Sequence, residues 1–217
     1  MQGDKMHKQR ILLLLVLLCA APFATAQQAP TSGDSGAAMT PEQIMNDPDM
    51  PFVGSNTADV TIAEFMDYNC PYCKKSHPAL KRLLASDPRI RVLYKEWPIF
   101  GPVSEYAARL AIAAKWQGRY ANAHDALMSA PRRFTANEEV MSVLRTAGID
   151  LKKLYADAAK HEAEITRLLA RNNLQAETIG LQGTPAWIVG PFLIPGGLDF
   201  AQLQEAVAEA RATDARK

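Results

Sequence analysis

Residues 60–75 read VTIAEFMDYNCPYCKK, and this stretch decides the fold that the sequence predicts. Its first seven residues are mainly β-branched, aromatic or otherwise apolar, which is typical of a buried strand. Residues 67–69 interrupt this run. A helix is then expected to begin at Cys70, because Pro71 occupies the first helical position, where its missing N–H costs nothing. The stretch therefore predicts a strand that leads directly into a helix with two cysteines at its start.

The motif Cys70-Pro71-Tyr72-Cys73 is typical of a dithiol/disulfide redox site when it follows a strand and opens a helix. The Cys70 sulfur would face the unpaired N–H groups and the positive dipole end of the helix, and both favour the thiolate. Such a position lowers a cysteine pKa from about 8.5 to roughly 3.5–7.5. We therefore expect Cys70 to attack a substrate sulfur and the more buried Cys73 to resolve the mixed disulfide. Pro71 and Tyr72 are expected to tune the redox potential and substrate contact.

The cysteine pair also has two structural interpretations. A Cys70–Cys73 disulfide would close a loop of only four residues, which constrains the unfolded chain little. A zinc site would need two further ligands beside these thiolates. The sequence has no second Cys-x-x-Cys motif, and no ligand-like spacing occurs among the histidines that follow residue 26, which are His77, His124 and His161. The redox site is therefore the preferred interpretation.

Residues 1–26 have the features of a secretory signal peptide. A basic segment precedes an apolar run at 11–21, which is shorter than the roughly 20 residues that span a bilayer, and small residues favour cleavage after Ala26. A buried N-terminal helix and a lipoprotein anchored at Cys19 are the alternatives. The mature chain would have 21 basic and 22 acidic residues, so no nucleic-acid partner is expected. Export predicts a periplasmic location, where the remaining two cysteines can form a disulfide.

The rest of the sequence predicts an α/β sheet core with an all-helical insertion. Residues 27–50 start with a low-complexity run and form an expected flexible segment, and 47–56 reads as loop. Further strands are expected at 91–99, 186–189 and 192–194, the last two as a hairpin, and the pattern from about 102 to 180 is helical. Two capping boxes are predicted, Thr135 with Glu138 and Asp199 with Gln202.

Three strings resemble one known family when they are taken together, namely FMDYNCPYCKK (65–75), YKEWPIFGP (94–102) and GTPAWIVG (183–190). They resemble the DsbA-like thiol-disulfide oxidoreductases, in the branch that holds the ScsC-, BdbD- and Com1-type proteins. The resemblance implies a thioredoxin-like fold over residues 51–217, with an all-helical insertion between the second strand and the cis-proline strand. It also implies exchange with exported protein thiols or disulfides, a membrane or periplasmic redox partner, and no cofactor beyond the redox-active disulfide.

The resemblance also assigns Thr184 and Pro185 to the family's cis-proline loop, which packs beside the cysteine pair and presents backbone to a bound substrate. Only a small fraction of the peptide bonds before proline are cis in folded proteins. The residues alone equally allow Pro185 to be an ordinary proline at the start of a strand. With the resemblance, a cis Thr184–Pro185 bond is the expectation.

Glu64 resembles the acid that family members bury beneath the active site. Such a carboxyl group has a raised pKa and can pass protons to or from Cys73. A solvated Glu64 at the sheet edge is the alternative. Lys95 and Glu96 are candidates for the same proton path, although strand alternation lets only one of them face the site.

The direction of exchange stays open at this point. An oxidase needs a readily reduced disulfide, whereas a reductase or isomerase works from the dithiol. The Cys-Pro-Tyr-Cys motif and the threonine before the cis-proline resemble the isomerase-like members of the family. Those members usually form oligomers through an N-terminal domain, and little sequence precedes the first strand here to form one. The oligomeric state therefore stays open as well. Two alternatives from other classes are a copper-binding thiol module, because Cu(I) prefers sulfur ligands, and a protein with a vestigial redox site.

Overall fold

The computed structural model describes residues 40–216, and a five-stranded mixed sheet lies at the centre of these residues. In space the strands follow the order β1-β3-β2-β4-β5, where β2 and β3 are parallel and the other neighbours are antiparallel. Their bounds are β1 (Phe52–Gly54), β2 (Val60–Met66), β3 (Ile90–Glu96), β4 (Ala186–Val189) and β5 (Phe192–Pro195).

Helices of the described residues cover both faces of this sheet. Their bounds are α1 (Pro41–Met45), α2 (Pro71–Ser86), α3 (Pro102–Ala113), α4 (Tyr120–Ser129), α5 (Asn137–Thr146), α6 (Leu151–Lys160), α7 (Glu162–Thr178) and α8 (Phe200–Asp214). A 3-10 turn at Ala114–Gln117 extends α3. Within residues 40–216, none of the helices has both the length and the apolar character that a membrane span requires.

The central strands β2 and β3 are buried along almost their whole length, because helices pack on both sides of them. Helix α2 connects the two parallel strands and packs against α8, while α7 contacts β3. The helical insertion, α3 to α7, lies between β3 and β4 in the chain. This confirms the predicted thioredoxin-like α/β fold with an all-helical insertion, and it confirms the hairpin of β4 and β5.

The prediction of loop throughout 47–56 is wrong, because strand β1 lies within it and pairs with β3. Gly54 ends this strand at φ 99°, and a Cβ at this residue would lie 2.3 Å from the Ile90 carbonyl oxygen. Glycine is thus required for the close approach of the two chains. The composition pattern missed this strand because it is short and its pairing partner is distant in sequence.

Part of the segment expected to be flexible, 27–50, is packed against the sheet. Ile44 and Met50 are buried, and the Asp47 carboxylate lies 2.9 Å from the Lys95 ammonium group. The packed domain therefore starts before the boundary expected at residue 51. The predicted signal peptide, 1–26, and the stretch up to residue 39 lie outside the described residues and stay predictions.

Candidate active site

The start of α2 places both cysteines below the protein surface. Cys70 is the N-cap residue in an extended conformation, and Pro71 follows as the first helical residue. The backbone N–H of Cys73 donates to the Cys70 sulfur over 3.4 Å, so that Cys70 uses its own side chain to cap the helix. The structure shows the two residues as separate buried thiols. The strand-to-helix transition expected from the sequence thus brings Cys70 and Cys73 together.

The loop before β4 lies directly beside Cys70. The Thr184–Pro185 peptide bond is cis, as the resemblance implied, and Pro185 is buried. The Cys70 thiol donates to the Thr184 carbonyl oxygen over 3.1 Å. The Thr184 hydroxyl is buried and has no hydrogen-bond partner among the described residues. This hydroxyl is therefore free to donate to Cys70 once the thiol has lost its proton.

The two thiols have opposite electrostatic environments. The pKa of Cys70 is lowered to about 6, first by the hydrogen bond from the Cys73 side chain and then by those from Thr184 and from backbone N–H groups, against the effect of burial. Burial raises the pKa of Cys73 far above its usual range, and the hydrogen bond to Cys70 and the Glu64 charge raise it further. At neutral pH Cys70 is therefore mainly a thiolate and Cys73 a thiol.

Glu64 lies in β2 beneath the cysteine pair, at 2% exposure, which excludes the solvated alternative. Burial raises the pKa of its carboxyl group well above the usual range, and the negative charge of Cys70 raises it further. Glu64 therefore tends to hold a proton next to the thiols. This is the environment that a group exchanging a proton with Cys73 requires.

The structure places Glu96 on the same face of the sheet as Glu64, and Lys95 on the other face. Glu96 accepts a hydrogen bond from the Tyr120 hydroxyl, and burial raises the pKa of its carboxyl group to about 7. Lys95 instead pairs with Asp47, close to α7. As predicted from the alternation of side chains along β3, only one of these two residues faces the cysteines, and it is Glu96 instead of Lys95.

A cluster of aromatic and histidine side chains between α4 and the sheet was not predicted from the sequence. The His124 ring stacks on Tyr94 with centroids 3.7 Å apart, and His124 Nδ1 lies 3.1 Å from the Tyr68 hydroxyl. Helix α4 contributes His124 and Tyr120 from the insertion, and no local pattern marks them. Among residues 40–216, no group of three or more His, Cys, Asp or Glu side chains is arranged to hold a metal ion.

A Cys-x-x-Cys helix start beside a cis-proline loop, on this sheet order, is shared by thioredoxin-fold thiol–disulfide oxidoreductases, and the domain falls in that class. A family model for the DSBA-like thioredoxin domain matches residues 61–208. The chain therefore belongs to the DSBA-like thioredoxin domain family, which confirms the resemblance seen in the sequence motifs.

Solved structures support this assignment. A thioredoxin-like oxidoreductase from Silicibacter pomeroyi DSS-3 has 39% identity and a TM-score of 0.73, and the match covers 78% of this chain and 96% of that chain. A periplasmic thioredoxin-like protein from Salmonella enterica serovar Typhimurium has 30% identity and a TM-score of 0.67, covering 78% and 94%. The catalytic domain of Proteus mirabilis ScsC has 28% identity and a TM-score of 0.67, covering 78% and 93%.

Two curated proteins named as Na(+)/H(+) antiporters also match this chain. A Na(+)/H(+) antiporter NhaA 3 of Salinispora tropica is 26% identical over 202 residues, which cover 92% of this chain and 30% of the relative. A second antiporter, NhaA 1 of Salinispora arenicola, is matched over 30% of its length. The chain thus spans less than a third of the length of these curated relatives.

Proposed function

We propose that the chain is an exported protein thiol–disulfide oxidoreductase that acts in the periplasm on the cysteines of other exported proteins. The observation that carries the proposal is the electrostatic difference between its two thiols. Cys70 has a pKa of about 6, whereas the pKa of Cys73 is strongly raised. A low-pKa cysteine is both an available nucleophile and a good leaving group in exchange, which an inert structural pair does not need. The likeness to a periplasmic thioredoxin-like protein supports the location.

The proposed oxidation of a substrate dithiol proceeds in two exchanges. A substrate thiolate attacks the Cys70 sulfur of the Cys70–Cys73 disulfide, and Cys73 leaves and takes up a proton. The second substrate thiolate then attacks the substrate sulfur of the mixed disulfide, and Cys70 leaves as a thiolate. The substrate loses two electrons, the cysteine pair gains them, and the reverse sequence reduces a substrate disulfide. A redox partner resets the pair, and the reaction needs no further cofactor.

Glu64 is the group we propose for proton exchange with Cys73. The raised pKa of Glu64 lets its carboxyl group donate a proton when Cys73 leaves as a thiolate and accept it when Cys73 attacks. Burial also raises the pKa of Glu96, to about 7, and this carboxyl group lies on the same face of the sheet. We propose that Glu96 extends this proton path, while Lys95 acts in folding.

Substrate polypeptide is proposed to bind beside the cis-proline loop. An open groove of about 400 Å³ runs along residues 180–185 and reaches Leu193 and Pro195 of β5. Tyr72, between the cysteines, is 63% exposed and offers an aromatic contact at the rim of the site. The groove is lined by glycine, proline, leucine, glutamine and threonine, so it presents backbone and neutral surface to the substrate.

The proposed function predicts that the cysteine pair equilibrates with glutathione at a moderately oxidising potential. The lowered pKa of Cys70 stabilises the reduced form of the pair, so the expected potential lies above that of thioredoxin, about −270 mV. The measurement is the fraction of oxidised mature protein in a series of glutathione buffers. A Cys70→Ser, Cys73→Ser double variant supplies the baseline. A potential below about −300 mV, typical of structural disulfides, would contradict the proposal.

A further inference from the structure

The turn before Cys70 holds two loops against the active site. The buried Asp67 carboxylate accepts a hydrogen bond from the Phe100 backbone N–H over 2.9 Å. The buried Asn69 side chain accepts from the Phe134 N–H over 2.7 Å and donates to the Phe134 carbonyl over 3.1 Å. Both loops are therefore fixed to the residues that lead into the nucleophile.

These two loops meet through a cation–π contact. The Arg133 guanidinium lies over the Phe100 ring, 4.9 Å from its centroid, and both residues are exposed at the surface. Phe134, the next residue in the chain, is buried beneath. We refer to Phe100, Arg133 and Phe134 as the arginine wall. The N–H groups of a guanidinium lie in its own plane, so a contact of its face with an aromatic ring leaves them available to bind a carboxylate in a bidentate manner.

The depression beside the arginine wall is lined by more basic than acidic groups, namely Arg132 and Arg133 against the single carboxylate of Glu139. Arg133 forms no ion pair within the part of the chain that the structure describes. The Glu139 carboxylate accepts a hydrogen bond from the Thr135 backbone N–H over 2.7 Å, which lowers its pKa, and the positive charge of the neighbouring Arg132 lowers it further. Lys74 adds a further cation, 4.9 Å from the centre of the Phe134 ring. A depression of about 260 Å³ beside these residues leaves room for a substrate side chain.

We propose that Arg133 is a specificity-determining residue that selects substrate polypeptides with a carboxylate close to the exchanging cysteine. The inference rests on the proposed function, since it requires a substrate sulfur to reach Cys70. The groove on the cis-proline side is lined by uncharged residues and cannot discriminate charge strongly. The depression beside Tyr72 is lined by one residue of each charge, Lys75 and Asp199. We therefore assign charge selection to the arginine wall, which Asp67 and Asn69 hold in place beside the nucleophile.

The test uses two peptides that differ only in charge, with glutamate or lysine at both positions two residues from a single cysteine. Each cysteine carries a thionitrobenzoate group as a mixed disulfide. Attack by the Cys70 thiolate on this disulfide releases the coloured thiolate, which stopped-flow absorbance records. We expect the reduced wild-type protein to react with the glutamate peptide about fivefold faster, the effect of one exposed ion pair. The preference should disappear near 1 M salt.

Charge reversal separates a specific contact from a folding defect. Arg133→Glu is expected to react faster with the lysine peptide than with the glutamate peptide, a gain that misfolding cannot produce. Arg167→Glu is the matched control, because this exposed arginine lies on α7, which packs near Lys95 on the other face of the sheet. It should keep the wild-type ratio. Equal rates in the wild type, or an unchanged ratio in Arg133→Glu, would overturn the inference, whereas failure of both peptides to react would overturn the proposed function itself.

Discussion

Replacing Cys70 with serine is expected to lower the rate of disulfide exchange by at least about a thousandfold, because it removes the reacting nucleophile. Replacing Cys73 with serine is expected to leave the first attack intact and to block the second. The hydroxyl can still donate a hydrogen bond to the Cys70 thiolate, as the Cys73 thiol does, but it cannot displace a substrate from a mixed disulfide. The Cys73→Ser protein should therefore accumulate covalent complexes.

Non-reducing gels and intact-mass spectrometry measure this outcome after incubation with a peptide disulfide. The expected complex has the mass of the protein plus one peptide and is released by dithiothreitol. A double variant with serine at both positions gives the background. Accumulation of the complex with Cys70→Ser instead of Cys73→Ser would reverse the assigned roles of the two thiols.

Replacing Asp47 with alanine is expected to destabilise the fold by about 3–5 kcal/mol, the cost of leaving a buried charge without its partner. Lys95 is fully buried, and its ammonium group lies 2.9 Å from Asp47 Oδ2. The other oxygen of Asp47 accepts from Arg171 over 2.8 Å. Burial lowers the pKa of Lys95, and the Asp47 carboxylate counteracts this effect. Urea unfolding of the oxidised protein measures the change in the free energy of unfolding.

Two further variants separate the buried pair from a general effect of charge. Asp49→Ala removes a carboxylate that is 57% exposed and pairs with the same arginine at 3.1 Å, so its effect should stay below about 1 kcal/mol. Adding Lys95→Met to Asp47→Ala should recover most of the stability, because the unpaired charge is then gone. A loss below about 1 kcal/mol for Asp47→Ala would contradict the role assigned to this ion pair.

Features set by neighbouring residues were predictable from the sequence. The strand that leads into the cysteine helix follows from the apolar run and the proline, and the capping box of Asp199 and Gln202 is present as predicted. The prediction of the other capping box is wrong. Helix α5 starts one residue later than predicted, and Thr135 donates a hydrogen bond to Glu139 instead of pairing with Glu138. Capping patterns depend on the helix start, which a sequence motif fixes only to within a residue or two.

Features set by distant residues were not predictable. Strand β1 exists because it pairs with β3, and the packing of 40–50 depends on the contact of Asp47 with Lys95 and Arg171. Alternation correctly limited Lys95 and Glu96 to opposite faces, but it gave no means of choosing between them. That choice is made by the elements packed on each face, where α4 supplies Tyr120 to Glu96.

The helical insertion shapes the candidate active site more than its position in the chain suggests. It provides Tyr120 and His124 behind the cysteines through α4, and Arg133 and Phe134 beside them through the loop before α5. These residues lie more than 45 positions from Cys70 in the sequence, so no local motif connects them with it. The thioredoxin-like core thus supplies the redox pair, and the insertion supplies the surroundings that we propose select its substrates.

The pKa of Cys70 is the quantity on which the account depends most directly. It can be measured from the pH dependence of iodoacetamide alkylation of the reduced protein, with Cys73→Ser used to confirm which thiol reacts. We expect the alkylation rate to rise with pH through a midpoint near 6, because the thiolate is the reactive form. A midpoint near 8.5, the value of an ordinary exposed cysteine, would show that the site does not stabilise the thiolate and would contradict the proposed role of Cys70.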